Sequence, residues 1–194
     1  MALDRLVERL RSDPALARHV QGRRFEKGEL VFRQGDPSRD IHVLRGGLVK
    51  LSYLTHDGKE WIKSFIADAG VFGSRRSQIA GGTSAFSAAC LEPSEVLILG
   101  YDRFRAAMAG DAELSALFLE MSEAMALKKE VREHDLLCLS AEARYRRFIA
   151  EQGDLAARLM QVDIARYLGV TPVALSRIRR RRAESASPLS TVTK

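Results

Sequence analysis

The spacing of apolar positions changes texture twice along the chain. The opening MALDRLVERLRSD places its apolar residues three and four apart and predicts a short amphipathic helix. From Phe25 to about Leu99, short apolar runs are broken by Gly and Asp: GELVFRQGD, DIHVLRGGLVKLSYL, THDGKE, WIKSFI and EVLIL. Asp57-Gly58 between two such runs predicts a hairpin, because Gly accepts the positive φ that tight turns require. Many short strands at this spacing predict a sandwich or barrel. From Tyr101 to about Leu136 the period becomes helical. Asp102 is expected to open a short helix and Asp111 a long one. On the long helix Leu114, Leu117, Phe118, Met121 and Met125 form one apolar stripe, which Val131 extends less cleanly past Lys128. A stripe on so long a helix predicts pairing with a second copy, giving a homodimer; packing against the chain's own β domain is the alternative.

From Ala141 the helices are shorter. AEARYRRFIAEQ turns Tyr145, Phe148 and Ile149 inward, ARLMQVDIARYLGV and TPVALSRIRRRRA follow, and ESASPLSTVTK reads as a frayed end. Gln161 to Leu168 and the segment after it form a helix-turn-helix pattern. Ile164 and Leu168 are apolar and four apart, and Ala165 is small where a second helix would cross. Gly169 falls at the turn, where a left-handed backbone suits Gly. Val170 points inward, Thr171 caps the next helix and Pro172 takes its first position. Leu175 and Ile178 complete the core face. Val173, Ser176, Arg177 and Arg180 are left outward, short side chains beside an Arg that can reach the guanine edge. Arg179, Arg181 and Arg182 add charge for phosphates.

Charge agrees with that partner. The net charge is +6, yet residues 1–140 hold 20 basic and 20 acidic side chains, so the whole excess lies in residues 141–194. A basic module on a neutral body suits double-stranded DNA. With 46% hydrophobic and 29% charged residues the 194-residue chain can build real cores. No apolar run approaches a membrane span, and the N-terminus lacks the apolar core of a signal peptide, so a cytoplasmic address without membrane partners is expected. Cys90 and Cys138 lie in apolar contexts and are read as buried small hydrophobes.

DIARYLGVTPVALSRIR resembles the helix-turn-helix of the Crp/Fnr superfamily, the relatives of the cyclic AMP receptor protein. EKGELVFRQGD, the GGLVKL run and the DGKE hairpin resemble that family's cyclic-nucleotide-binding β-roll. SAACLEPSEVLIL with YDRF resembles its last strands and the helix leading to the dimer interface. The resemblance runs from about Gly22 to Arg182. It implies an α+β chain: a sensory double-stranded β-helix (a jelly-roll-like β-roll) over residues 1–110, a dimerisation helix over 111–137 and a helix-turn-helix domain over 138–194. It further implies a transcription regulator that meets RNA polymerase at promoters, with Gln161 among the DNA-binding residues, Thr171 on a phosphate and Arg177 on a base. Two departures stand out. The family's Arg-Glu pair at the start of the recognition helix is Pro172-Val173 here, and so few residues follow that helix that a truncated or absent wing is expected.

In cyclic-AMP-binding members a Gly-Glu and a later Arg-Ser or Arg-Thr hold the ribose and the cyclic phosphate. The matching stretch here has Gly73-Ser74 and Ser84-Ala85, so both charged anchors are missing. Arg75 or Arg76 could substitute, the alternative being two solvated loop residues. Cyclic AMP is therefore not expected to bind in the usual mode, and the effector is left open. Two distant cysteines and four scattered histidines (His19, His42, His56, His134) give no iron–sulfur or heme signature. An enzyme is disfavoured, since HExxH, GxSxG, Walker and GxGxxG motifs are all missing. The competing reading is a ligand- or protein-interaction module without specific DNA readout.

Overall fold

The structure, a computed structural model, describes residues 2–186. Two compact units, Met1–Val131 and Arg132–Lys194, divide within the longest helix rather than on either side of it.

The first unit opens with helices α1 (Ala2–Ser12) and α2 (Pro14–Ala17). Eight strands follow: β1 (Gln21–Phe25), β2 (Leu30–Phe32), β3 (Asp40–Gly46), β4 (Leu48–Leu54), β5 (Glu60–Ala67), β6 (Gly70–Phe72), β7 (Ser87–Cys90) and β8 (Ser94–Gly100). A short helix α3 (Arg75–Ala80) interrupts them, and α4 (Tyr101–Gly110) and α5 (Ala112–Cys138) come after. The strands make two antiparallel sheets, ordered β1-β8-β3-β6 and β2-β7-β4-β5, which is the expected β-roll. Gly47 permits the β3–β4 crossing: a Cβ there would lie 2.4 Å from the Pro93 carbonyl, and its φ is +100°. Gly58 closes the predicted hairpin at φ +80°.

β3 explains how the roll meets the helices. Ile41, His42, Val43 and Leu44 are all buried, because both faces of this strand are covered. Ile41 and Val43 join Leu6, Leu10, Leu16, Leu97, Leu99, Phe104 and Leu114 in a core between sheet and helices. Leu44 joins Phe25, Phe32, Val49, Phe72, Phe86 and Val96 inside the roll. Arg9 bonds Asp111 at 2.5 and 2.9 Å, and Asp111 caps α5 by accepting from Leu114 N at 3.0 Å.

The second unit holds the end of α5 and helices α6 (Ala141–Glu151), α7 (Gly153–Arg158), α8 (Gln161–Tyr167) and α9 (Pro172–Ala186). Phe148, Leu159, Ile164, Leu168, Leu175 and Ile178 are its core.

Several expectations change. α3 was not foreseen. α4 begins at Tyr101 with Gly100 as its cap, not at Asp102. ARLMQVDIARYLGV is broken at Leu159-Met160 into α7 and α8. Tyr145 and Ile149 are only half-buried beside Phe148, and Cys138 is exposed at the end of α5, whereas Cys90 is buried. Glu184 to Ala186 continue α9. The rest of the ESASPLSTVTK tail, with the expected wing truncation, lies outside the described residues. Among those residues no helix is long and apolar enough to cross a membrane.

Candidate nucleic-acid interface

α8 and α9 form the helix-turn-helix from the residues that predict it. Ile164, Ala165 and Leu168 are buried on α8, and Leu175 and Ile178 on α9. Gly169 sits between them at φ +69°. Thr171 caps α9: its Oγ1 accepts from Ala174 N at 3.2 Å, and Pro172 follows as the first helical residue. Val170 is half-buried rather than enclosed.

With Leu175 and Ile178 fixed inward, helical geometry turns Val173, Ser176, Arg177 and Arg180 outward, and all four are exposed. Val173 is 61% exposed, which for an apolar side chain leaves a methyl surface in contact with water. Gln161 and Thr171, at the N-termini of α8 and α9, are exposed as well. Arg180 pairs with Glu184 one turn on at 2.9 Å, an exposed pair of little strength. The arginine cluster is not uniform. Arg182 is half-buried with its guanidinium 5.7 Å over the Tyr145 ring of α6, while Arg179 and Arg181 are exposed, Arg181 lying 3.9 Å from Glu142. Asp163, which the sequence reading left unassigned, is buried in the first turn of α8, where the helix dipole favours a carboxylate.

Of the residues of the expected effector pocket, Ser74 and Ala85 are joined directly, while the buried Ser84 Oγ has no hydrogen-bond partner in the structure. Ser74 Oγ accepts from Ala85 N at 3.1 Å, joining the two halves of the stretch. Ser84 is buried, its N–H on Asp36 O at 2.7 Å and its carbonyl on Gly35 N at 2.8 Å. Gly73 has no room for a Cβ, which would meet Gln78 Nε2 at 2.4 Å. Gln78 in turn donates to Asp40 O at 2.7 Å. Arg76 is exposed. Arg75 is not a solvated loop residue: it starts α3, with its guanidinium 4.8 Å over Phe118 and 5.7 Å over Tyr101. Inside the roll the Phe32 ring lies 5.1 Å from His42, 6.3 Å from Phe72 and 5.6 Å from Phe86. His42 stacks on Phe72 at 5.1 Å, and burial pushes its imidazole down to about 4, so it is neutral at pH 7.

The stripe on α5 also divides. Leu114 and Leu117 are enclosed by the chain itself, which corrects their assignment to a dimer interface: the first turns of α5 complete the core of the first unit. Phe118 and Met121 pack against that core, Phe118 edge-on to Phe104 at 5.2 Å, and Met125 is half-buried. Leu119 and Leu127 are exposed instead.

Residues 22–111 match the cyclic nucleotide-binding domain family. The chain is 28% identical over 178 residues to the transcriptional activator protein anr of Pseudomonas aeruginosa, covering 81% of this chain and 68% of that one. Its fold is similar to FixK2 from Bradyrhizobium japonicum, with a TM-score of 0.73 at 19% identity over 89% of each chain. It is also similar to the c-di-GMP responsive global regulator CLP of Xanthomonas campestris, with a TM-score of 0.74 at 19% identity over 94% of this chain and 93% of that one. Residues 22–111 thus form a roll of the matched family, and with a long helix and a helix-turn-helix following in order the chain is similar over most of its length to transcription regulators of the Crp/Fnr type.

Proposed function

We propose that the protein is a homodimeric, sequence-specific DNA-binding transcription regulator whose roll does not take cyclic AMP in the family's usual way. The outward face of α9 carries this reading. Val173, Ser176, Arg177 and Arg180 are exposed together on a helix that is capped at its start and anchored by buried Leu175 and Ile178. Arg177 takes the base contact, and Gln161 and Thr171 the phosphates at the two helix N-termini. Exposed Leu119 and Leu127, about 80° apart around the helix, support a dimer through α5. Two recognition helices then read half-sites about one DNA turn apart. The regulator works in the cytoplasm and meets RNA polymerase at promoters.

The closed cassette and the aromatic filling of the roll support the second half. Ser74 Oγ is taken by Ala85 N, Arg75 is turned to Phe118, and the imidazole stacked on Phe72 is neutral. A cyclic phosphate would enter without a cationic partner from these residues.

Selection from random duplexes followed by gel shifts tests the reading. A near-palindromic site is expected, and Arg177→Ala should weaken it by about 1–3 kcal/mol while binding to unrelated duplexes stays. An undiminished operator affinity removes the base contact from Arg177. No sequence preference at all leaves an interaction module.

A further inference from the structure

The end of α8 directs five successive carbonyls toward the turn. Three are taken by turn amides: Ile164 O by Leu168 N at 2.9 Å, Ala165 O by Val170 N at 3.0 Å and Arg166 O by Gly169 N at 3.4 Å. With Gly169 left-handed, this is a Schellman closure. The last two carbonyls go to arginines from elsewhere in the second unit. Arg132 Nη2 donates to Tyr167 O at 2.6 Å, and its guanidinium lies 3.9 Å over the Tyr167 ring. Arg144 Nε donates to Leu168 O at 3.0 Å. The same guanidinium reaches the end of α5, where Nη1 donates to Leu139 O at 2.7 Å and Leu136 O at 3.3 Å. Leu136 also closes on the turn: a Cβ on Gly169 would sit 3.3 Å from its Cδ2.

We infer that Arg132 and Arg144 are positioning residues for DNA reading: they clamp the turn of the helix-turn-helix to the last turns of α5. Two cations at the negative end of α8 are favourably placed. Their chemistry needs Arg, because a planar fork can serve carbonyls on two sides at once and an ammonium cannot span them in the same way. Leu168, held by Arg144, is three residues before the cap of α9, so the clamp sets the direction from which the recognition helix starts. Base readout depends on placement within a fraction of an ångström, whereas phosphate contacts tolerate more error. A loosened turn therefore costs specific binding first. This inference rests on the DNA-reading function proposed above.

The full chain is compared with its Arg144→Met, Arg144→Lys and Arg132→Met variants on the selected operator and on a scrambled duplex. Hydrogen exchange is followed at the turn. In the Arg144 variants operator affinity should fall about tenfold or more while scrambled-duplex affinity stays within about twofold, with Lys giving no rescue. The amides of Gly169 and Val170 should exchange faster, with the melting temperature little changed. Arg132→Met leaves the three Arg144 bonds in place and should show the same pattern more weakly, which keeps the test alive if Arg144→Met fails to fold. Wild-type operator affinity in Arg144→Lys overturns the clamp, as does a parallel fall on both duplexes. If the unsubstituted protein shows no operator preference, the DNA-reading function fails by itself. The exchange measurement then still decides the clamp, which unchanged turn amides in Arg144→Met would refute.

Discussion

His42 is a buried imidazole stacked on Phe72 with the Phe32 ring tilted against it, and its Nδ1 has no hydrogen-bond partner in the structure. Burial lowers its pKa to about 4, against smaller opposing effects from Asp40 and the Phe72 backbone. The unfolded chain protonates near 6.5, the folded one only near 4, so the unfolded state binds more protons between those values. Stability from this site is complete above pH 6.5 and is lost as pH falls toward 4, by about 3 kcal/mol in all and about 2 kcal/mol between pH 7 and 5. Urea denaturation at the two pH values should show that extra loss in the wild type and not in His42→Phe; equal losses would dismiss it. Nothing in the sequence around His42 marked it as a filler of the roll. The residues that were legible singly, Gly58, Gly169, Thr171 and Pro172, have roles set by their own backbone chemistry. Arg75 was not, because its partner Phe118 is distant in sequence and only the fold brings it near.

Among the elements, α5 separates what a periodic pattern says from what it leaves open. The stripe told that one face is covered and where the helix starts, since Asp111 caps it, but periodicity does not say what does the covering. Leu114 and Leu127 now give opposite expectations. Leu114→Ala removes a fully buried side chain and should cost about 2–5 kcal/mol of stability, with the protein still a dimer. Leu127→Glu alters an exposed position and should shift native mass spectra from dimer to monomer at little cost to folding. If Leu127→Glu stays dimeric, the exposed leucines of α5 are not the pairing surface. α3 escaped prediction for a physical reason. Its one large aliphatic residue, Ile79, is exposed, and the residues it buries are Ser77 and Gln78, so it shows no apolar period.

For the molecule as a whole, domain order was the most legible property, because each region has its own hydrophobic period and its own charge. The sensor was less so, because a pocket is defined by what lines it from several strands. Calorimetry should show no micromolar binding of cyclic AMP to the purified protein; a saturable heat at that level would reopen the roll as a nucleotide site. The two thiols differ in a way that is experimentally useful. Cys90 is buried and its thiol is pushed up by burial, whereas Cys138 is exposed where α5 ends. A maleimide or nitroxide reagent therefore selects Cys138 in the unmutated protein. In a dimer that puts one spin label on each protomer, beside the helix end that Arg144 ties to the DNA reader. The distance between the two labels becomes a direct ruler for how far operator DNA, or an effector still to be found, moves the two readers apart.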